Sequence, residues 1–193
     1  MKTLLTSAAF AAAVLAPTAA VAQALPPAVV AVVDLDSVTR NCNACKTAQA
    51  ALQSQVTAEE NREKGLATPL QTEQQSIQTA VAALKGKEPD AALQTRIKSF
   101  QTKYQQAQDE AQRGRAQLQA NQAYIQKQIE DKLNPIYQQV MQRRGANVLV
   151  EVGTTLATSR SVDVTGDVLA ALNAALPTLV TTAPAQQQQP QGR

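Results

Sequence analysis

Lys85-Gly86-Lys87-Glu88-Pro89 is the one break in a run of charged, Gln- and Ala-rich residues that covers residues 46–144. On its N-terminal side Leu52, Val56, Glu59, Glu63, Leu66, Leu70, Glu73, Ile77, Ala80 and Leu84 follow at alternating steps of four and three. That is the 3.5-residue period of a left-handed coiled coil. On its C-terminal side Leu93, Ile97, Phe100, Tyr104, Ala107, Ala111, Gly114, Leu118, Asn121 and Ile125 keep the alternation. Ile129, Leu133, Ile136 and Val140 continue it after a slip in phase, which locally relaxes supercoiling. Gly86 can take the left-handed conformation that stops the first helix. Pro89 has the φ suited to the first position of the second, with Asp90 in its first turn. At about 1.5 Å per residue the two helices are roughly 60 and 80 Å long, and they fold back on each other.

Such a hairpin has a thin apolar stripe instead of a broad face, so it cannot bury a globular core of its own. Acidic residues on the seam make it leaky. Gly65 and Pro69 in the first helix and Pro135 in the second are expected to bend their helices, and Gly145 ends the second. Small residues such as Ala107, Ala111 and Gly114 add flexibility. Ile97, Phe100 and Tyr104 read as seam residues before they read as contacts for a bound chain.

Two β-branched segments flank the hairpin. Ala28-Val29-Val30-Ala31-Val32-Val33-Asp34-Leu35 reads as a buried strand and Asn147-Val148-Leu149-Val150-Glu151-Val152 as a second, with a short third strand over residues 155–162. Thr165 is placed to cap a helix that runs to about Leu176 and ends at Pro177, with Val164 and Leu169 as its hydrophobic staple. Two or three short strands with one helix are too little to stand alone. Sharing the sheet among subunits, through Val30, Val32, Val148 and Val150, is the simplest remedy. The fold expected is mainly α: a long antiparallel coiled-coil helical hairpin projecting from a small β body.

Residues 1–22 read as a signal peptide. Met1-Lys2 is the positive start, residues 4–14 are apolar without charge, and Ala20-Val21-Ala22 is the cleavage pattern. Pro17 and Thr18 interrupt that stretch below the roughly 20 apolar residues that span a bilayer. The domain plan is then a β/α body from residues 23–36 and 146–180, a hairpin at 37–145, and a disordered Gln- and Pro-rich tail at 181–193. The chain has 193 residues, no Trp and net charge +3. So mild and interspersed a charge does not imply nucleic acid, and no nucleic-acid partner is expected. The scarcity of aromatics argues against a large core. Within residues 46–144 stand 14 Lys and Arg against 10 Asp and Glu, an excess that could attract acidic or lipid-phosphate partners. Lys85 and Lys87 at the tip have two readings, attraction to such partners or the solubility of an exposed turn.

Cys42-Asn43-Ala44-Cys45 is a CxxC pair in an oxidising compartment, where it closes into a local disulfide. Haem attachment needs a His after the second Cys, but residue 46 is Lys. A zinc site needs more ligands, and the chain has no His and no other Cys. No cofactor, metal or catalytic residue is expected, and the protein reads as no enzyme. Thiol-disulfide exchange is the one enzymatic alternative, and it lacks a thioredoxin context.

The order of elements, an Ala-Val-Val-Asp-Leu strand leading into Asp36-Ser37, and Leu133-Asn134-Pro135-Ile136 late in the second helix resemble the Skp/OmpH periplasmic chaperones. So do Gly145-Ala146-Asn147-Val148-Leu149-Val150-Glu151 and Ser161-Val162-Asp163-Val164-Thr165-Gly166-Asp167-Val168-Leu169. The resemblance implies a homotrimer with a shared barrel-like sheet and three tentacles around a cavity. It further implies an ATP-independent periplasmic holdase for unfolded outer-membrane proteins, with basic tentacle ends that meet membrane or lipopolysaccharide surfaces. A structural spacer or adaptor of the cell envelope is the alternative class.

Overall fold

The computed structural model describes residues 25–184. The expected signal peptide and most of the expected tail lie outside them. A four-residue strand, β1 (Val30–Val33), opens the fold, and Asp34 immediately caps a helix, α1 (Leu35–Asn41). The Asp34 Oδ1 accepts from the Ser37 amide at 2.7 Å, meeting one of the donors that every helix start leaves free. Cys42 is extended (φ −58°, ψ 128°) and breaks the helix, and α2 (Asn43–Ala83) starts directly after it. The first seven helical residues are a separate element, and their Val38 is fully buried in the body.

Helix α2 passes through Gly65 and Pro69 without ending. The turn at the tip holds Lys85 at φ 48° and Gly86 at φ 87°, and α3 (Ala91–Arg144) returns. Asp90 is the residue that caps α3, its Oδ1 accepting from the Leu93 amide at 2.8 Å, and Pro89 stands one place outside. The carboxylate outcompetes the proline for the boundary because a cap needs an acceptor, which Pro89 lacks. Gly145 (φ 65°) closes α3, and the Ala146 amide reaches back to the Met141 carbonyl at 2.9 Å.

The chain then pairs β2 (Val148–Glu151) with β1 in parallel, Val30 opposite Val148 and Val32 opposite Val150. Parallel neighbours need a long crossover, and here the whole hairpin supplies it. The expected third strand is absent. Residues 152–154 and 160–162 form short 3-10 turns, and only Asp163 makes a bridge, to Val32. Final helix α4 (Thr165–Ala175) begins at Thr165 itself, so that residue is not the cap. Its hydroxyl instead accepts the Asp34 amide at 2.9 Å and ties the end of β1 to α4.

The core sits beneath the sheet. Ala31 and Val33 of β1 meet Val38 of α1, Cys42, Ala44 and Cys45 at the start of α2, Ile129, Leu133, Ile136 and Val140 of α3, and Val168 and Leu172 of α4. The foot of the hairpin is thus part of the body, which is why so small a sheet can stand. Each valine, leucine or isoleucine among them taken out of water contributes about 1.5–3 kcal/mol. Beyond Cys45 on α2 and Ile125 on α3 the core cluster stops and the two helices go on as a pair. Residues 48–83 at about 1.5 Å each make an arm roughly 50 Å long. Among the described residues no helix is long and apolar enough to cross a membrane.

Candidate functional site

The arm is held by charge where its stripe lacks apolar residues. Arg115 of α3 donates from Nε and Nη2 to both oxygens of Glu63 at 2.6 and 2.9 Å. Lys103 Nζ reaches Glu73 at 3.1 Å and Arg96 Nε lies 3.5 Å from the same carboxylate. Arg62 grips Glu59 on its own helix and crosses to the Glu110 carboxylate at 2.7 Å. The Arg115 hydrogen bond holds the Glu63 carboxyl below the usual range, and the Lys103 hydrogen bond does the same for Glu73. These pairs lie at the surface, where water and salt screen them and each adds little to stability. They set the register of the two helices more than they bind them together.

Between the ion pairs the seam is open. Leu66 and Leu70 of α2 face Ala107 and Ala111 of α3, and alanine is too short to fill the space. A groove of about 400 Å³ runs on one side of this line, past Glu63, Tyr104 and Arg115. Another of about 290 Å³ lies on the other side, past Pro69, Glu73 and Lys103. Tyr104 is a seam position by spacing, yet it is 48% exposed at the rim of the first groove, while Ile97 and Phe100 are half-buried. At Gly114 side chains of the facing helix take the space a side chain would need: a methyl group there would run into the Glu59 carboxylate and the Arg62 guanidinium.

Nearer the body the groove is occupied by the chain itself. After α4, residues 178–183 climb between α2 and α3. The Val180 amide donates to Gln128 Oε1 at 3.0 Å, and Gln128 Nε2 donates to the Val180 carbonyl at 2.8 Å. Gln55 Nε2 reaches the Thr181 carbonyl at 3.2 Å, and the Ala183 amide donates to Asn121 Oδ1 at 2.8 Å. Asn121 is buried, and its other end donates to Gln55 Oε1 at 2.8 Å. Thr181 and Ala183, which composition assigns to a disordered tail, are therefore fixed by their main chain. Sequence reasoning passed over Gln55, Gln117 and Gln128. The available signal was Asn121, a polar residue on an apolar stripe with amides four before it and seven after it.

The remaining candidates fall in three places. Lys85 and Lys87 are both exposed on the turn at the tip. Val30, Val32, Val148 and Val150 share one face of the sheet, because paired residues of a parallel ladder point the same way and Ala31 and Val33 point into the core. Val30 is 40% and Val148 39% exposed, Val150 is half-buried and Val32 buried. Cys42 and Cys45 are joined by a disulfide across the α1–α2 break, 0% and 8% exposed, and the Cys45 amide donates to Cys42 Sγ at 3.2 Å. Such burial shields both sulfurs from an attacking thiolate. Among the described residues no group of His, Cys, Asp and Glu is gathered that could hold a metal ion.

Comparison with known proteins places this architecture. The family described as outer membrane protein (OmpH-like) matches residues 29–172, from the start of β1 to the buried Leu172 of α4. The fold is similar to the crystal structure of an OmpH-like candidate outer membrane chaperone from Caulobacter crescentus CB15, with a TM-score of 0.69 at 23% sequence identity. That similarity covers 85% of this chain and 96% of the other. No curated protein matches the chain.

Proposed function

The chain belongs to the OmpH-like family of outer membrane proteins, and from that premise we propose that it is an ATP-independent periplasmic holdase, which keeps unfolded outer-membrane proteins from aggregating during transit. The observation that carries this reading is the arm. It extends roughly 50 Å past the core, and its middle is grooved on both sides between Leu66, Leu70, Ala107 and Ala111. A helical pair built only as a spacer gains by filling that seam. A pair that must yield to clients of different size gains by leaving it loose and setting its register with surface charge. Weak contacts repeated along several arms retain a chain without demanding a sequence.

The exposed Val30 and Val148 at one end of the sheet support a homotrimer in which the bodies join and the arms surround a cavity. Lys85 and Lys87 are the residues best placed to meet an anionic client or a lipopolysaccharide surface. The domain plan follows: an exported precursor cleaved after residue 22, a body that assembles, arms that enclose. The disulfide has a structural role, pinning the bend from α1 into α2.

The test is dilution of a urea-unfolded outer-membrane β-barrel protein into buffer containing the purified mature protein and no nucleotide. Light scattering should be suppressed at near-stoichiometric ratio, and chemical cross-linking should return a trimer. Unchanged scattering, with copurification of one folded partner, would replace the holdase with an envelope adaptor.

A further inference from the structure

Four side-chain amides on the arm hold an extended piece of polypeptide, and they hold it by its main chain alone. Gln128 takes both the N–H and the C=O of Val180, Gln55 takes the carbonyl of Thr181, and Asn121 takes the N–H of Ala183. Gln117 Nε2 donates to Asn121 Oδ1 at 2.8 Å and orients that amide, while also lying 3.4 Å from the Ala183 carbonyl. Burial alternates along the segment: Leu179, Thr181 and Ala183 are half-buried against the helices, and Val180, Thr182 and Pro184 are exposed. A two-residue period is that of an extended chain. Recognition through main-chain hydrogen bonds, with shallow contact for alternate side chains, is how strand-addition sites accept many sequences.

The groove goes on past the amide that holds Ala183. It continues along Ala58, Glu59, Arg62, Gly114 and Leu118, an open space of about 460 Å³ that shares Gln55, Gln117 and Asn121 with the seated segment.

We propose that this amide-lined groove is a binding site for extended polypeptide, occupied in the free protein by residues 179–183 and opened to segments of an unfolded client when those residues leave. It rests on the holdase reading for the identity of the client, but not for the existence of the site. The strap competes with the client for the same amides, and the competition tunes affinity without any change of fold. If the strap is seated about 80 to 90% of the time, its release tightens binding roughly five- to ten-fold.

The experiment uses a dye-labelled peptide with the sequence of residues 179–184, titrated by fluorescence anisotropy onto the mature protein, the same protein ending at Leu179, and the full-length double variant V180P/A183P. The last loses the two amide hydrogens that dock the strap and keeps the chain intact, so a folding defect of the truncation does not end the test. Circular dichroism verifies that helicity is unchanged. The peptide should bind both strap-released forms roughly five- to ten-fold more tightly than the parent protein. A second peptide of unrelated sequence should bind alike, and Q128A in the released background should abolish the gain. A peptide N-methylated at the positions of Val180 and Ala183 should fail to bind.

Equal binding to all three proteins, or undiminished binding of the N-methylated peptide, overturns the proposal. Urea-unfolded β-barrel protein should displace the labelled peptide. If it does not, while the parent protein still suppresses its aggregation, the groove serves the strap alone and the holdase reading stands. If peptide binding follows the pattern above but aggregation is not suppressed, the site stands and the holdase reading fails.

Discussion

Gly65 and Gly114 lie on facing helices of one arm, and their surroundings differ. Nothing lies within 4 Å of a Cβ built at Gly65, whereas at Gly114 it meets the ends of Glu59 and Arg62. Glycine inside a helix costs about 0.5–1 kcal/mol relative to alanine, mostly through the entropy of the unfolded chain. Gly65→Ala should therefore raise stability by about that amount in a denaturant titration. Gly114→Ala should give back most of the same gain, because its methyl group displaces the ion pairs that Arg62 makes. The acidic seam residues make a second prediction. The carboxyls of Glu63 and Glu73 titrate below the usual range in the folded arm. The stability they contribute is fully present above the ordinary glutamate value and is lost as pH falls through their depressed folded values. Thermal melts followed from about pH 6 down to about pH 3 should show a loss that Glu63→Gln diminishes. These seam positions were legible in the sequence, since the alternation of fours and threes depends only on helix geometry. Their partners were not. Spacing says which face Glu63 occupies but not that Arg115, 52 residues on, will lie against it.

Among the elements, α4 has the most work for its length. Val168 and Leu172 are fully buried, and they close the core against α1 and the foot of α3. Leu172→Ala should cost about 2–5 kcal/mol, read as a shift in denaturant midpoint with unchanged slope, because the packed neighbours cannot collapse into the space. Asp90→Ala is a milder test on the other end of the molecule. It removes the acceptor that caps α3 and should cost about 1 kcal/mol, with the loss confined to faster amide exchange at the first turn beyond the tip. The contrast between these two elements also marks where sequence reasoning succeeds. Both long helices, the turn between them and both strands follow from periodicity and turn chemistry. The break at Cys42 does not, because Asn41-Cys42-Asn43 carries no Gly or Pro, and its cap is a sulfur joined by the Asn173 side chain of α4, which accepts the Asn43 amide at 2.8 Å. The third strand failed for a related reason. Residues 155–162 include the β-favouring Thr155, Thr158 and Val162, but only Asp163 bridges to β1, and residues 160–162 form a 3-10 turn instead.

At the scale of the whole molecule, the decisive question is what covers the outer face of the sheet. The core explains one side, through Ala31, Val33 and the partly buried Leu149. The other side presents β-branched residues, and the exposed pair Val30 and Val148 lies beside Val29, itself 49% exposed. Exposed valines at this end of the sheet are where the proposed trimer would join its bodies. Moreover β2 is an edge strand. Its Val148 amide is spent on Val29 at 3.2 Å, so by alternation the peptide groups of Leu149 point away from β1, toward whatever lies beyond. A neighbouring subunit would satisfy both the patch and the edge. The double variant V30K/V148K should then convert the assembly to monomer in sedimentation velocity, since lysines on a shared apolar face cannot all reach water. Far-UV circular dichroism should remain helical, because neither residue belongs to the core cluster. The parent protein should melt at a temperature that rises with its concentration, and the variant at one that does not. If the variant sediments as the parent does, the valine face is not where subunits meet, and the arms must be gathered by some other part of the chain. If it dissociates but holds an unfolded β-barrel protein as well as before, one arm with its grooves is sufficient, and the cavity between arms adds nothing to retention.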